Sequence, residues 1–175
     1  MSDAQQLAEE IEITLGSPFA EAPPRVKLID ARTLGLPDEA LLREHARELC
    51  ARSAAPHSSR SYSFPLALIA WHTAPVGVDV ERIGPCDAVF ADSIRTPTER
   101  AAGWPSEDPD RFFTSLWSSK EALSKALGDA LQYDPRRLEG AGAWPDKRSG
   151  PWRAEALDVG SEHVGWLCWC TTHQP

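Results

Sequence analysis

Val76-Gly77-Val78-Asp79-Val80-Glu81 is the stretch on which the reading of this chain turns. Apolar and charged residues alternate along it, which is the signature of a half-buried β-strand. Val76, Val78 and Val80 project to one side, towards a core, and Asp79 and Glu81 to the other. Two rises along a strand put the Asp79 and Glu81 Cα atoms roughly 7 Å apart. Two carboxylates with an apolar backing can hold one hard cation between them, and Gly77 leaves the approach to that face open. Taken alone, such a strand is weak evidence of a site.

The second informative stretch is Leu116-Trp117-Ser118-Ser119-Lys120-Glu121-Ala122-Leu123-Ser124-Lys125-Ala126-Leu127-Gly128. It falls in a helix predicted from Arg111 to Leu127, begun by Asp110 and ended by Gly128. Positions four apart on a helix are neighbours, so Trp117, Glu121 and Lys125 form one stripe. Leu116, Leu123 and Leu127 are expected to form a separate face that buries. A lone Glu–Lys pair at this spacing is ordinarily a solvated pair worth a few tenths of a kcal/mol. The strand and the helix together say more. Mg²⁺ takes oxygen ligands and commonly sits between a few carboxylates and substrate phosphates. Three carboxylates with a nearby lysine suit a diphosphate: the cation neutralises its charge, Lys125 steadies the departing phosphate, and a carboxylate accepts the proton of an incoming hydroxyl.

Outward from these segments the elements are shorter. Ile11–Leu15 and Val26–Ile29 read as strands. Asp38 caps a helix that runs to about Arg52 with Leu41, Leu42, Ala46 and Leu49 at helical spacing. Residues 53–61 read as a loop by composition. Phe64–Trp71 is a nearly continuous apolar run, expected to be a buried strand paired with 76–81 across the Thr73-Ala74-Pro75 turn. A short helix is expected near Ser93–Ala102 with Glu99 and Arg100 on its exposed side. Strands are expected at Glu155–Val159 and Val164–Thr171. This order indicates an α+β fold.

Composition narrows the field. The 175 residues carry 18 basic and 26 acidic side chains and a net charge of −8, with no basic stripe, which argues against a nucleic-acid partner. The N-terminus shows no charged-then-apolar signal pattern, and no apolar run reaches the ~18 residues that cross a membrane. Cys50, Cys86, Cys168 and Cys170 have no zinc-type spacing, so a cytoplasmic chain with reduced thiols is expected. Cys168-Trp169-Cys170 reads as packed strand, since free cysteine behaves as a small buried hydrophobe.

The joint pattern resembles the two signatures of the 4′-phosphopantetheinyl transferase superfamily, a G-[VI]-D-[VI]-E strand followed about forty residues later by W-[ST]-x-K-E-[AS]-x-x-K-A-x-G. Here Asp79 and Glu121 are 42 positions apart. Thr96-Pro97-Thr98-Glu99-Arg100, Asp110-Arg111-Phe112-Phe113 and Asp134-Pro135 resemble further family segments. The likeness covers about 60–140 well and the flanks poorly. It implies the family's fold, a pseudo-dimer of two small α/β lobes with antiparallel sheets. The N-terminal lobe would be a shortened 1–74, and 75–175 would carry the motifs, the site lying between them. The length suits a shortened, monomeric member of the larger surfactin type.

By the same resemblance Asp79, Glu81 and Glu121 would hold Mg²⁺. Glu121 would also be the base for a serine of an acyl or peptidyl carrier protein. Lys125 would contact the diphosphate of coenzyme A and assist departure of 3′,5′-ADP. Two departures stand out. The family's Ser-His-Ser is Ser61-Tyr62-Ser63 here, and a phenol can hydrogen-bond a phosphate but stays neutral where histidine can become cationic. The family's Gly-Lys-Pro phosphate element is missing, with Arg52-Ser53-Ala54-Ala55-Pro56 as the nearest remnant. Ser61, Tyr62, Arg52 and Arg60 are then the remaining candidates for binding coenzyme A. The rival reading is a non-catalytic module on the same fold that binds carrier protein or coenzyme A without transfer.

Overall fold

The computed structural model describes the backbone of residues 11–13 and residues 23–105, 107–128 and 133–171. Two four-stranded antiparallel sheets make up its frame. The first has the order β1-β2-β4-β3, from Ile11–Ile13 (β1), Arg25–Asp30 (β2), His57–Ser63 (β3) and Leu66–His72 (β4). The second has the order β5-β8-β7-β6, from Val76–Arg82 (β5), Arg148–Ser149 (β6), Trp152–Leu157 (β7) and His163–Cys170 (β8). The fold is α+β, as the sequence indicates.

Helix α1 spans Glu39–Ala51, and the Asp38 side chain accepts from the Leu41 N–H at its start. It buries Leu42 and Ala46 against Ala67, Ile69 and Trp71 of β4. The alternate residues of β4, Leu66, Leu68 and Ala70, join Val76, Val78, Val80 and Leu167 in a core shared by both sheets. A strand covered on both faces explains the unbroken apolar run. Helix α4, Pro109–Leu127, covers the other face of the second sheet, with Ala122, Leu123 and Ala126 on Trp166 and Cys168. Two short helices, Ala88–Ile94 (α2) and Pro97–Ala101 (α3), lie between β5 and α4 in the chain.

Gly77 has a sharper role than open approach. A Cβ there would fall 1.9 Å from the Ala122 carbonyl oxygen and 2.5 Å from the Ala126 amide nitrogen. Only glycine lets the α4 backbone come down onto β5, and that contact sets the distance between the two motifs.

Several expectations are corrected. β4 does not pair with β5: β2 and β3 occupy both its edges, and β5 pairs with β8 in the other sheet. The segment read as loop contains most of β3, whose polar alternation hides the strand period. Asp108, not Asp110, caps α4. Leu127 is exposed at 46%, and α4 instead buries Phe113, Thr114, Ser118, Lys120 and Ala122. Glu99 is turned inward, its side chain only 12% exposed. The end of the first predicted strand, beyond Ile13, lies outside the described residues.

Candidate active site

The first and second sheets meet where edge strands β3 and β5 run side by side. Alternate serines of β3 stitch them together. Ser59 Oγ accepts from the Val78 N–H at 3.0 Å, and Ser63 Oγ accepts from the Arg82 N–H at 2.9 Å. Both links join residues 19 apart, so the two strands run in the same direction. The serine between them, Ser61, donates to Asp79 Oδ1 at 2.8 Å. The seam thus delivers one hydroxyl to the carboxylate that the β5 alternation turns towards α4.

From α4, Lys125 reaches the same oxygen. Its Nζ lies 2.6 Å from Asp79 Oδ1 and 3.3 Å from both Ser61 Oγ and the Val78 carbonyl. The Asp79 side chain is 2% exposed and that of Lys125 21%, so the pair sits at the rim of the interior. Asp79 Oδ2 is buried without a hydrogen-bond partner. One turn earlier on α4, Glu121 Oε1 accepts from the Tyr133 hydroxyl at 2.8 Å. Another turn back, Trp117 lies beside Glu81 and meets Phe90 edge-on, with ring centroids 6.0 Å apart. The stripe Trp117–Glu121–Lys125 therefore faces the acidic side of β5.

Electrostatics mark this cluster. Burial first, and the charge of Asp79 next, push the Glu81 carboxyl up to about 7. Burial also raises Glu121, opposed by the Tyr133 hydrogen bond and reinforced by Asp79. Burial and the Glu121 charge raise the Tyr133 phenol, so it stays a donor. Three acidic groups share one ammonium. Among the described residues no three His, Cys, Asp or Glu side chains are gathered as a ready metal cage, and here Lys125 supplies the positive charge. The donor set still fits a hard cation: carboxylate oxygens only, one of them buried and unpartnered, and mutual repulsion that a cation relieves.

Not every candidate converges. Tyr62 faces the other way, half-buried with the α1 cluster, under the Arg43 guanidinium 4.6 Å from its ring centroid. Arg60 projects to that same side, beside Cys50. Arg52 ends α1 beside Glu48 at 3.6 Å and lines a cavity of about 320 Å³ with Arg25, Lys27 and Trp71. The structure brings Ser61, Asp79, Glu81, Glu121 and Lys125 together, and places Tyr62, Arg60 and Arg52 on the α1 side of the first sheet. A larger cavity of about 680 Å³, lined by Trp104, Phe112, Leu116 and Trp166 among others, lies outside this cluster.

Three further contributors, Tyr133, Ser59 and Ser63, are not singled out from the sequence for these roles. Tyr133 comes from the segment after α4, where no periodicity announces it. Ser59 and Ser63 do leave a trace, the alternation in Ser59-Arg60-Ser61-Tyr62-Ser63.

Residues 75–158 match the model of the 4′-phosphopantetheinyl transferase superfamily. The likeness to that superfamily lies in this part of the chain. A curated relative, the 4′-phosphopantetheinyl transferase psf-1 of Bacillus pumilus, is 34% identical over 79 residues. That alignment takes in 44% of this chain and 34% of the relative, so the chain spans about a third of the length of the curated relative it matches. The matched superfamily region holds Asp79, Glu81, Glu121, Lys125 and Tyr133, whereas Ser61 lies ahead of it.

Proposed function

We propose that the chain is a 4′-phosphopantetheinyl transferase that moves the phosphopantetheine arm of coenzyme A onto a serine of an acyl or peptidyl carrier protein, with Mg²⁺. The observation that carries this reading is the meeting of the two family motifs in space: Asp79 of β5 and Lys125 of α4 in direct contact, with Glu81 and Glu121 close enough to feel their charges.

Asp79, Glu81 and Glu121 would hold the Mg²⁺. When bound, it supplies charge neutralisation to a diphosphate and lowers the repulsion met by an incoming hydroxyl. The rest falls to the chain. Glu121, raised by burial, accepts the proton of the carrier serine. The serine oxygen then forms its bond to the β-phosphorus while the bond from that phosphorus to the bridging oxygen breaks. Lys125 stabilises the charge left on 3′,5′-ADP, and Ser61 keeps Asp79 aligned. Arg52, with Arg25 and Lys27 around its cavity, is the candidate for the 3′-phosphate, and Arg60 and Tyr62 lie on the same side. Val89, 78% exposed on α2 beside Phe90, offers the local apolar patch a carrier protein needs. The net charge of −8 offers no global attraction to an acidic partner.

The reading includes two lobes divided near 74/75, a monomer, and a cytoplasmic setting. Among the described residues no helix is long and apolar enough to cross a membrane.

Intact-mass analysis of several apo-carrier proteins with coenzyme A and Mg²⁺ is the direct test. The wild type adds the phosphopantetheine mass to at least one of them, and Glu121→Gln slows that addition by about 10²–10³-fold. Absence of any addition across a broad panel, with coenzyme A binding indifferent to Mg²⁺, would instead establish the non-catalytic binding module.

A further inference from the structure

Residues 133–140 lie against α4 and are fastened to two consecutive residues of it. The Tyr133 hydroxyl donates to Glu121 Oε1 at 2.8 Å. Two residues on, the Pro135 carbonyl accepts from Lys120 Nζ at 3.0 Å. Lys120 is fully buried, and its other two donors go to the Ile94 carbonyl and to Glu99 Oε2, the latter at 2.6 Å. Glu99 in turn holds the Gly140 N–H at 2.7 Å and the Thr96 N–H at 2.8 Å. This segment is therefore anchored at 135 and at 140, and Tyr133 is held where only one atom of its side chain has a polar task.

That task has a consequence for Glu121. A carboxylate on a helix can turn about its terminal bond, presenting either oxygen. A phenol that donates to one oxygen breaks this equivalence and leaves the other free to act. We propose that Tyr133 is a positioning residue: its hydroxyl fixes Oε1 of Glu121 and reserves Oε2 for the cation and the incoming serine hydroxyl. This rests on the transferase reading for what Oε2 does, and on the hydrogen bond alone for how Glu121 is oriented. Phenylalanine at 133 would keep the ring and lose only the donor.

The chain has two tyrosines, Tyr62 and Tyr133, which makes the test clean. Fluorotyrosine labelling of the full chain gives two ¹⁹F signals, assigned by Tyr133→Phe. The Tyr133 signal is expected to move in Glu121→Gln, where the acceptor changes, while the Tyr62 signal stays. In calorimetry with Mg²⁺ alone, Tyr133→Phe is expected to weaken binding about 3–10-fold. In transfer assays its kcat falls about 10-fold while the KM for coenzyme A holds, and its thermal midpoint stays close to that of the wild type. A Tyr133 signal indifferent to Glu121→Gln overturns the proposal, and so does a Tyr133→Phe variant equal to the wild type in both Mg²⁺ affinity and kcat. If the wild type transfers nothing yet the Tyr133 signal follows Glu121→Gln, the orientation of Glu121 stands and the transferase reading alone is lost.

Discussion

Lys120 and Lys125 stand five residues apart on α4 and are buried in opposite ways. Lys120 spends its three donors on the Glu99 carboxylate and two carbonyls, and both Glu99 oxygens are taken by Lys120, Thr96 and Gly140. Charge and hydrogen bonds balance. Lys125 faces Asp79, Glu81 and Glu121, a surplus of negative charge with one Asp79 oxygen unpartnered. The first arrangement fixes α2, α3, α4 and residues 133–140 relative to one another. The second leaves acidic groups crowded together with one carboxylate oxygen unpartnered, a pattern that clusters at functional sites. The two lysines thus differ in how well their surroundings are matched: every partner of Lys120 is present, whereas acidic groups outnumber Lys125.

That contrast predicts opposite responses to removing a charge. The largest effect is expected at the balanced centre. Lys120→Met leaves Glu99 buried without its counterion, and loss of one partner of such a pair typically costs about 3–5 kcal/mol. Denaturant unfolding reads it directly. Adding Glu99→Leu to that variant should recover a large share, because both charges are then gone. A double variant as unstable as the single one would break the distinction.

At the surplus-charge centre the sign reverses. Glu81→Gln removes a carboxyl that burial and Asp79 have already pushed up to about 7. The metal-free chain is expected to gain on the order of 1 kcal/mol at pH 8, discounted for partial exposure, while transfer collapses. Unfolding in the presence of a chelator, beside the mass assay, checks both halves. A destabilised Glu81→Gln would place Glu81 with Lys120 as scaffold.

Much of this was open to reading from the chain itself. The alternation of 76–81, the Asp38 cap and the 117–121–125 stripe are local patterns, and local patterns survive folding when the surroundings agree with them. What stayed hidden was non-local. Nothing in Leu66–His72 says that both its edges will be filled by β2 and β3, so the nearby β5 looked like its partner. His57–Ser63 is a strand whose repeating element is serine, and a composition test mistakes serine for loop. Glu99 looked exposed because the helix around it is only five residues long. Its inward turn follows from the capping box with Thr96, which aims the carboxylate back at the chain and towards Lys120. Tyr133 reaches Glu121 two residues before Pro135, itself pinned to the helix, and no spacing rule contains either contact.

A third buried group calibrates the comparison, because it follows neither course. His163 on β8 is 4% exposed, and its Nε2 has no hydrogen-bond partner. Burial lowers its pKa, and the nearby Arg82 pushes the same way, which favours the neutral imidazole. A histidine with a depressed folded pKa contributes stability that is complete above its unfolded value of about 6.5. As pH falls below that value the unfolded chain takes up the proton first, and the contribution drains away until the folded pKa is passed. The slope cannot exceed about 1.4 kcal/mol per pH unit for one proton. Unfolding free energies of wild type and His163→Gln between pH 8 and pH 5 should therefore diverge only on the acid side, the variant losing less. Parallel profiles would mean that His163 carries its charge inside the fold, and that burial alone does not sort the titratable groups of this protein.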